Sequence, residues 1–134
     1  KVLQVVRNSS TTTVSTSTHS SQTELINASI TPTSTSSKIL ILINVMVQTT
    51  GSSNSYSAIK TFRGTISGTG LQEYYFGSAD SSNRNDLYSI NTIDEPSTTS
   101  SQQYTVGIRK GSSSTASVST DGGLYEIILM EIQG

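Results

Sequence analysis

Ser37-Lys38-Ile39-Leu40-Ile41-Leu42-Ile43-Asn44-Val45-Met46-Val47-Gln48 is a strand-length run that is apolar on both faces. Successive side chains of a strand point to opposite sides, so Ile39, Ile41, Ile43, Val45 and Val47 share one face while Leu40, Leu42 and Met46 share the other. A two-layer antiparallel domain covers only the inner face of each sheet. An apolar outer face therefore predicts a further layer, supplied by another copy of the chain. The opening Val2–Arg7 stretch and the closing Leu124–Ile132 stretch are two-faced in the same way. Greek-key sandwiches often set the terminal strands beside a middle strand, which would gather Leu3, Val5, Leu40, Leu42, Met46, Ile128 and Met130 on one outer surface. The alternative is that loops or a distorted strand of the same subunit cover these residues.

Helix signals are nearly absent: no segment longer than about ten residues carries apolar positions at i, i+3, i+4 and i+7. Strand signals recur instead. They cover Thr11 to Thr18, the period-two set Ile26, Ala28 and Ile30, Tyr56 to Ile66, Leu71 to Phe76, and Leu87 to Ile93. Tyr104, Val106 and Ile108 follow, then Ala116 and Val118. Turn chemistry separates them at Thr31–Ser37, Gly51–Asn54, Ser78–Asp86, Asp94–Ser101, Gly111–Ser114 and Asp121-Gly122-Gly123. The pattern predicts an all-β protein, an antiparallel jelly-roll-like β-sandwich of about nine or ten strands.

A chain of 134 residues holds one core, so residues 1–134 form a single domain. Ser and Thr make up roughly a third of it, a composition that approaches disorder. Clustering of the apolar residues into strand-sized runs argues for order, and places the Ser/Thr excess on solvent-facing strand positions and turns. The net charge of −1 comes with only eight scattered basic residues, too few and too dispersed to neutralise a phosphate backbone, so nucleic acid is excluded as a partner. No Cys occurs, which removes disulfides, thiolate metal sites and Cys nucleophiles together. No apolar stretch of about 20 residues is present to insert into a membrane. The chain starts at Lys1 rather than Met, which suits one segment of a longer polypeptide.

Catalytic sets are missing. His19 is the single histidine, and the serines beside it come with no third group to orient an imidazole, so an exposed loop or edge position is its expected place. Glu73, Asp80, Asp86, Asp94 and Glu95 offer carboxylates for glycoside cleavage, but so small a sandwich offers little cleft, and the expectation is no enzyme. Asp80–Asp86 has oxygen ligands at alternate positions; Ser82 and Arg84 stand where a calcium loop wants acidic or amide ligands, so neither metal nor cofactor is expected. Gly64, Gly68 and Gly70 precede no helix and read as turn residues rather than a phosphate cradle. The aromatic residues are the better binding candidates. Tyr74, Tyr75 and Phe76 are consecutive, so at least one points outward, and Tyr56, Arg84 and Tyr88 lie near loops. Tyr56, Tyr74, Tyr75, Arg84 and Tyr88 are the candidate glycan-binding set, against the simpler role of core or interface packing.

Ser29–Ile41, the stretch Ile93-Asp94-Glu95-Pro96-Ser97-Thr98-Thr99-Ser100 leading to Tyr104, and the closing Ile127–Ile132 together resemble a distal domain of virion appendage proteins, those of tailed bacteriophages and marine ones especially. The opening Val2-Leu3-Gln4-Val5-Val6 fits too, so the resemblance spans nearly the whole chain through strand and turn motifs. It implies a fibre, spike or capsid-decoration module, homotrimeric, built as a jelly roll similar to tumour-necrosis-factor and C1q-like sandwiches. It also implies a place in the virion or outside the cell, with other virion proteins and a host-surface glycan as partners. A pure assembly or cement protein, or a secreted bacterial surface or filament subunit, fits the composition as well.

Overall fold

In a computed structural model the chain folds as two antiparallel sheets packed face to face, and residues 1–51, 55–79, 84–111 and 114–134 are described. Ten strands lie among them: β1 (Val2–Ser10), β2 (Val14–Thr16), β3 (Thr23–Ile30), β4 (Lys38–Gly51), β5 (Ser55–Arg63), β6 (Thr69–Ala79), β7 (Arg84–Asp94), β8 (Gln102–Lys110), β9 (Ser114–Val118) and β10 (Tyr125–Ile132). The jelly-roll-like sandwich read from the sequence is the observed fold. The expected turns at Gly51–Asn54, Ser78–Asp86 and Gly111–Ser114 lie partly outside the described residues.

The long two-faced strand organises the larger sheet. One edge of β4 pairs with β10 through Lys38–Asn44 and then with β9 through Val47–Gly51, while β7 runs along its other edge from Ile39 to Thr49. β1 joins β10 on the side away from β4, so the first and last strands lie side by side in the same sheet as the middle one. The second sheet runs β3-β8-β5-β6. Inward positions of both sheets build one core: Ile39, Ile41, Ile43, Val45 and Val47 of β4 face Ile59, Tyr104, Val106 and Ile108 across the sandwich. Each of these nine is at most 1% exposed.

Two expectations are corrected. Thr11 to Thr18 reads as one edge strand, but only Val14–Thr16 pairs, because β9 opposite it presents only Ala116–Val118 to that ladder. Nor does the Ser/Thr excess lie only on the surface, since Thr16, Ser37, Thr49, Ser55, Ser57, Thr61, Thr105, Ser117 and Ser119 are buried. Several of their hydroxyls satisfy one another or the backbone, and that of Ser37 donates to the Glu131 carboxylate. Thr49 and Ser57 meet at 2.6 Å between the sheets, Thr105 donates to the Gly64 carbonyl at 2.6 Å, and Ser119 donates to the Thr11 carbonyl at 2.7 Å. A hydroxyl with a partner in reach costs little to bury.

Candidate functional site

Strand register places the outward side chains of the larger sheet in rows. Val5, Met130, Leu40 and Ile93 stand opposite one another across β1, β10, β4 and β7. The next row is Arg7, Ile128, Leu42 and Asn91. Val5 and Ile93 are 54% and 58% exposed, while Leu40, Leu42, Ile128 and Met130 are half-buried only by leaning on each other. This apolar patch ends at polar groups on both sides. Arg7 pairs with Glu126 at 2.6 Å and Asn44 donates to the same carboxylate at 2.8 Å, while Lys38 pairs with Glu95 at 2.7 Å on the opposite flank. An apolar centre inside a polar rim carrying both signs is how protein interfaces are built.

Two of the seven sequence-proposed interface residues fall outside that patch. Met46 pairs with Leu87 beyond the Asn44–Ser89 row, and Gly123 of the 121–124 turn lies against its methyl end. Leu3 sits at the β1 bulge between Val2 and Gln4, where it lines a shallow recess with Lys1, Thr33 and Gln133.

The five candidate binding residues separate by strand parity. Tyr75 and Tyr56 lie on the outer face of the smaller sheet, rings edge to face at 5.6 Å, with the Arg109 guanidinium 5.5 Å and 5.9 Å from their centroids. Tyr74 and Tyr88 instead turn into the sandwich and pack on the core. Tyr74 donates to the Asn91 carbonyl at 2.6 Å, occupying an acceptor on the edge strand β7, and Tyr88 stacks on Phe76 at 3.9 Å. Burial, helped by a bond to Asp86, pushes the Tyr88 hydroxyl up to about 12. Arg84 pairs with Asp86 at 2.6 Å on β7, the carboxylate that the Tyr88 hydroxyl also bonds.

What sequence reading missed is the cluster around Tyr75. Glu24, Gly107, Lys60 and Glu73 form one row across β3, β8, β5 and β6. The Glu73 carboxylate accepts from Arg109 Nε at 2.7 Å, Gln22 Nε2 at 3.1 Å and Tyr75 Oη at 2.8 Å. Burial pushes this carboxyl up, but the bonds from Arg109 and Tyr75 outweigh it and hold the group below its ordinary range. A cavity of about 400 Å³ opens beside it, lined by Ser20, Gln22, Lys60, Phe62, Ser67 and Arg109 among others. The sequence signal was there in Gly107, a glycine inside the apolar alternation of Val106 and Ile108, which marks a close approach rather than a turn.

No two of the described acidic candidates share a cation: Glu73 is held by Arg109, Asp86 by Arg84, Asp94 by Arg63 and Glu95 by Lys38. Asp80, and with it most of the loop up to Asp86, lies outside the described residues. His19 is exposed, its Nδ1 3.2 Å from the Lys110 carbonyl oxygen. Among the described residues no three His, Asp or Glu side chains gather to hold a metal ion.

The sandwich has counterparts among viral proteins. A chain in the structure of infectious bursal disease virus, Gx strain, matches with a TM-score of 0.56 at 11% identity, over 98% of this chain and 32% of that one. A chain of that virus's VP2 subviral particle matches with a TM-score of 0.48 at 11% identity, over 97% and 38% of the two, too remote to add to the first. No protein family and no curated protein matches the sequence. At such identity the likeness is one of fold, and this chain spans about a third of the viral one.

Proposed function

We propose that this chain is a non-enzymatic structural module of a virus particle, a tail-fibre or capsid-decoration domain that assembles as a homotrimer and presents its free surface to host glycans. The observation that carries the reading is the rimmed apolar patch on the larger sheet. Fully burying a Leu, Ile or Met side chain contributes about 1.5–3 kcal/mol. Val5, Leu40, Leu42, Ile93, Ile128 and Met130, each already partly covered, can together offset an association cost of about 4–15 kcal/mol. The rim holds a cation and an anion on each flank, so a neighbouring copy can pack on it without like charges being forced together. Fold likeness to a virus-particle chain supports the setting, and the resemblance to phage appendages supports the threefold form. Three weak sites on one rigid trimer would then act by avidity.

Light scattering of the purified chain should give three times 14.2 kDa. Leu42→Asp puts a charge at the patch centre and should return the mass to a single chain while circular dichroism keeps its strand signal. A variant that still runs at the wild-type mass would remove this face from the assembly. The same patch also serves the assembly-only reading, a cement or surface-filament subunit, and failure of the trimer to bind across a broad glycan panel would favour it.

A further inference from the structure

We propose that the cavity lined by Gln22, Lys60 and Arg109 on the outer face of the smaller sheet is a binding site for an acidic sugar residue, a pyranose ring carrying one carboxylate. This deepens the attachment reading and takes only its biological setting from it. Two glycines of the sheet seat the side chains that wall it. A Cβ at Gly107 would lie 2.9 Å from Gln22 Cβ, and one at Gly70 would lie 2.6 Å from Lys60 Cε, so both positions are kept bare where side chains of the cavity cross the sheet. Gln22 and Lys60, each seated over a bare glycine, are two walls of one cavity of about 400 Å³, the volume of small-ligand sites.

Charge selects the ligand class. Lys60 reaches into the cavity with its ammonium 5.4 Å from the Phe62 ring centroid; among the described residues it makes no salt bridge, though its charge acts on Glu73 opposite it. Arg109 commits its Nε to Glu73 and points Nη2 at Tyr75 Oη, 3.3 Å away, so it shapes the wall more than it binds. Lys60, Arg109 and Glu73 sum to a single positive charge, which suits a monoanion; Glu73 repels the second charge of a phosphate. The remaining wall is made for hydroxyls. Ser20, Ser21 and Ser67 line it, and Gln22 Oε1 is a buried acceptor without a hydrogen-bond partner, the atom a ring hydroxyl takes when the amide turns outward. Tyr75, 61% exposed beside Glu73, supplies a face for the neighbouring sugar of a chain.

Titration of ¹⁵N-labelled protein with glucuronate, galacturonate or N-acetylneuraminate should shift the amides of Gly70, Gly107 and Ser67 saturably, for at least one of the three. Glucose, galactose, acetate and inorganic phosphate at equal concentration should not. Lys60→Gln should weaken the acidic-sugar response about tenfold or more, and Gly107→Ser, which drives a side chain into Gln22, should abolish it with the mass of the assembly unchanged. Equal responses to acetate and to uronates would reduce the site to an adventitious anion contact, and equal responses to neutral sugars would remove the role of Lys60. Absence of any saturable shift overturns the proposal. Capture of the trimer by a neutral host glycan, unaffected by Lys60→Gln, would leave attachment standing and this pocket refuted; uronate binding without host capture would do the reverse.

Discussion

Asp94→Ala should lower the unfolding free energy by about 3–5 kcal/mol, the largest loss expected from any single side chain here. Asp94 ends β7 in the larger sheet, yet its carboxylate is held by two residues of the smaller one. Arg63 on β5 forks onto both oxygens, and the Tyr104 hydroxyl of β8 donates at 2.7 Å. Tyr104 is 1% exposed and Asp94 6%, so truncation leaves a buried hydroxyl and a half-buried guanidinium without their acceptor. Burial pushes the Asp94 carboxyl up, the bonds from Arg63 and Tyr104 pull it down further, and the net position is below the ordinary range. Tyr104→Phe removes one donor and keeps the ion pair, so its cost should be about 0.5–1.5 kcal/mol. Urea unfolding at one fixed protein concentration compares the two. If Asp94→Ala unfolds within about 1 kcal/mol of wild type, the clamp between the sheets is not holding them.

Periodicity revealed the sandwich because its strands alternate cleanly: every second residue of Ile39–Val47 is buried, as parity requires, and both terminal strands lie in the same sheet, β10 against β4 and β1 beyond it. The outer patch was legible for the same reason, except where register intervened. Asn44 and Ser89 form a polar row that sets Met46 apart from Leu42, and the β1 bulge carries Leu3 to the sheet margin; neither pairing nor bulges are encoded in one strand's own pattern. The tyrosines show what alternation alone can do. Consecutive Tyr74, Tyr75 and Phe76 guarantee an outward ring, but only the pairing of Tyr75 with Ala58 and of Tyr74 with Ile59 says which one it is. The cavity was illegible because Gln22, Lys60, Glu73 and Arg109 come from four separate stretches that meet only through the β3-β8-β5-β6 order. Buried hydroxyls escaped for a different reason. Ser and Thr satisfy themselves against an extended backbone as readily inside as outside, so their abundance carries no periodic signal.

Acid should weaken the fold through Glu131, and a single substitution should abolish that sensitivity. Glu131 occupies the inward parity of β10 after Tyr125, Ile127 and Leu129, and it is fully buried with no cation bonded to it among the described residues. Its charge is held by neutral donors instead. Thr33 N and Thr33 Oγ1 donate at 2.7 Å each, Ser37 Oγ at 2.6 Å and Gln4 Nε2 at 2.7 Å. Burial pushes the carboxyl up, but these bonds from Ser37, Thr33 and Gln4 prevail and bring it down to about 2 from 4.5. A depressed carboxyl stabilises the native state fully above its unfolded value and loses that contribution as the pH falls through its folded one. The shift corresponds to about 3 kcal/mol at neutral pH, decaying between about pH 4.5 and 2. Glu131→Gln keeps an acceptor for Thr33 and Ser37 but sets an amide N–H₂ against Gln4 Nε2, whose own carbonyl cannot turn inward without releasing its bond to the Thr31 carbonyl. The variant should therefore lose about 2–3 kcal/mol at pH 7 and show a flatter urea midpoint below pH 4.5, the residual slope belonging to the other depressed carboxyls, Asp94, Glu73 and Glu126. Glu131→Leu leaves all four donors unmet, so it should cost more and speed hydrogen exchange at the Thr33 amide. Because these donors tie the 31–37 turn and β1 to β10, beside the Lys38–Glu95 rim of the apolar patch, subunit release in acid should track the Glu131 titration; a wild-type midpoint that stays level from pH 7 to 3 would mean the carboxylate is not charged in that pocket.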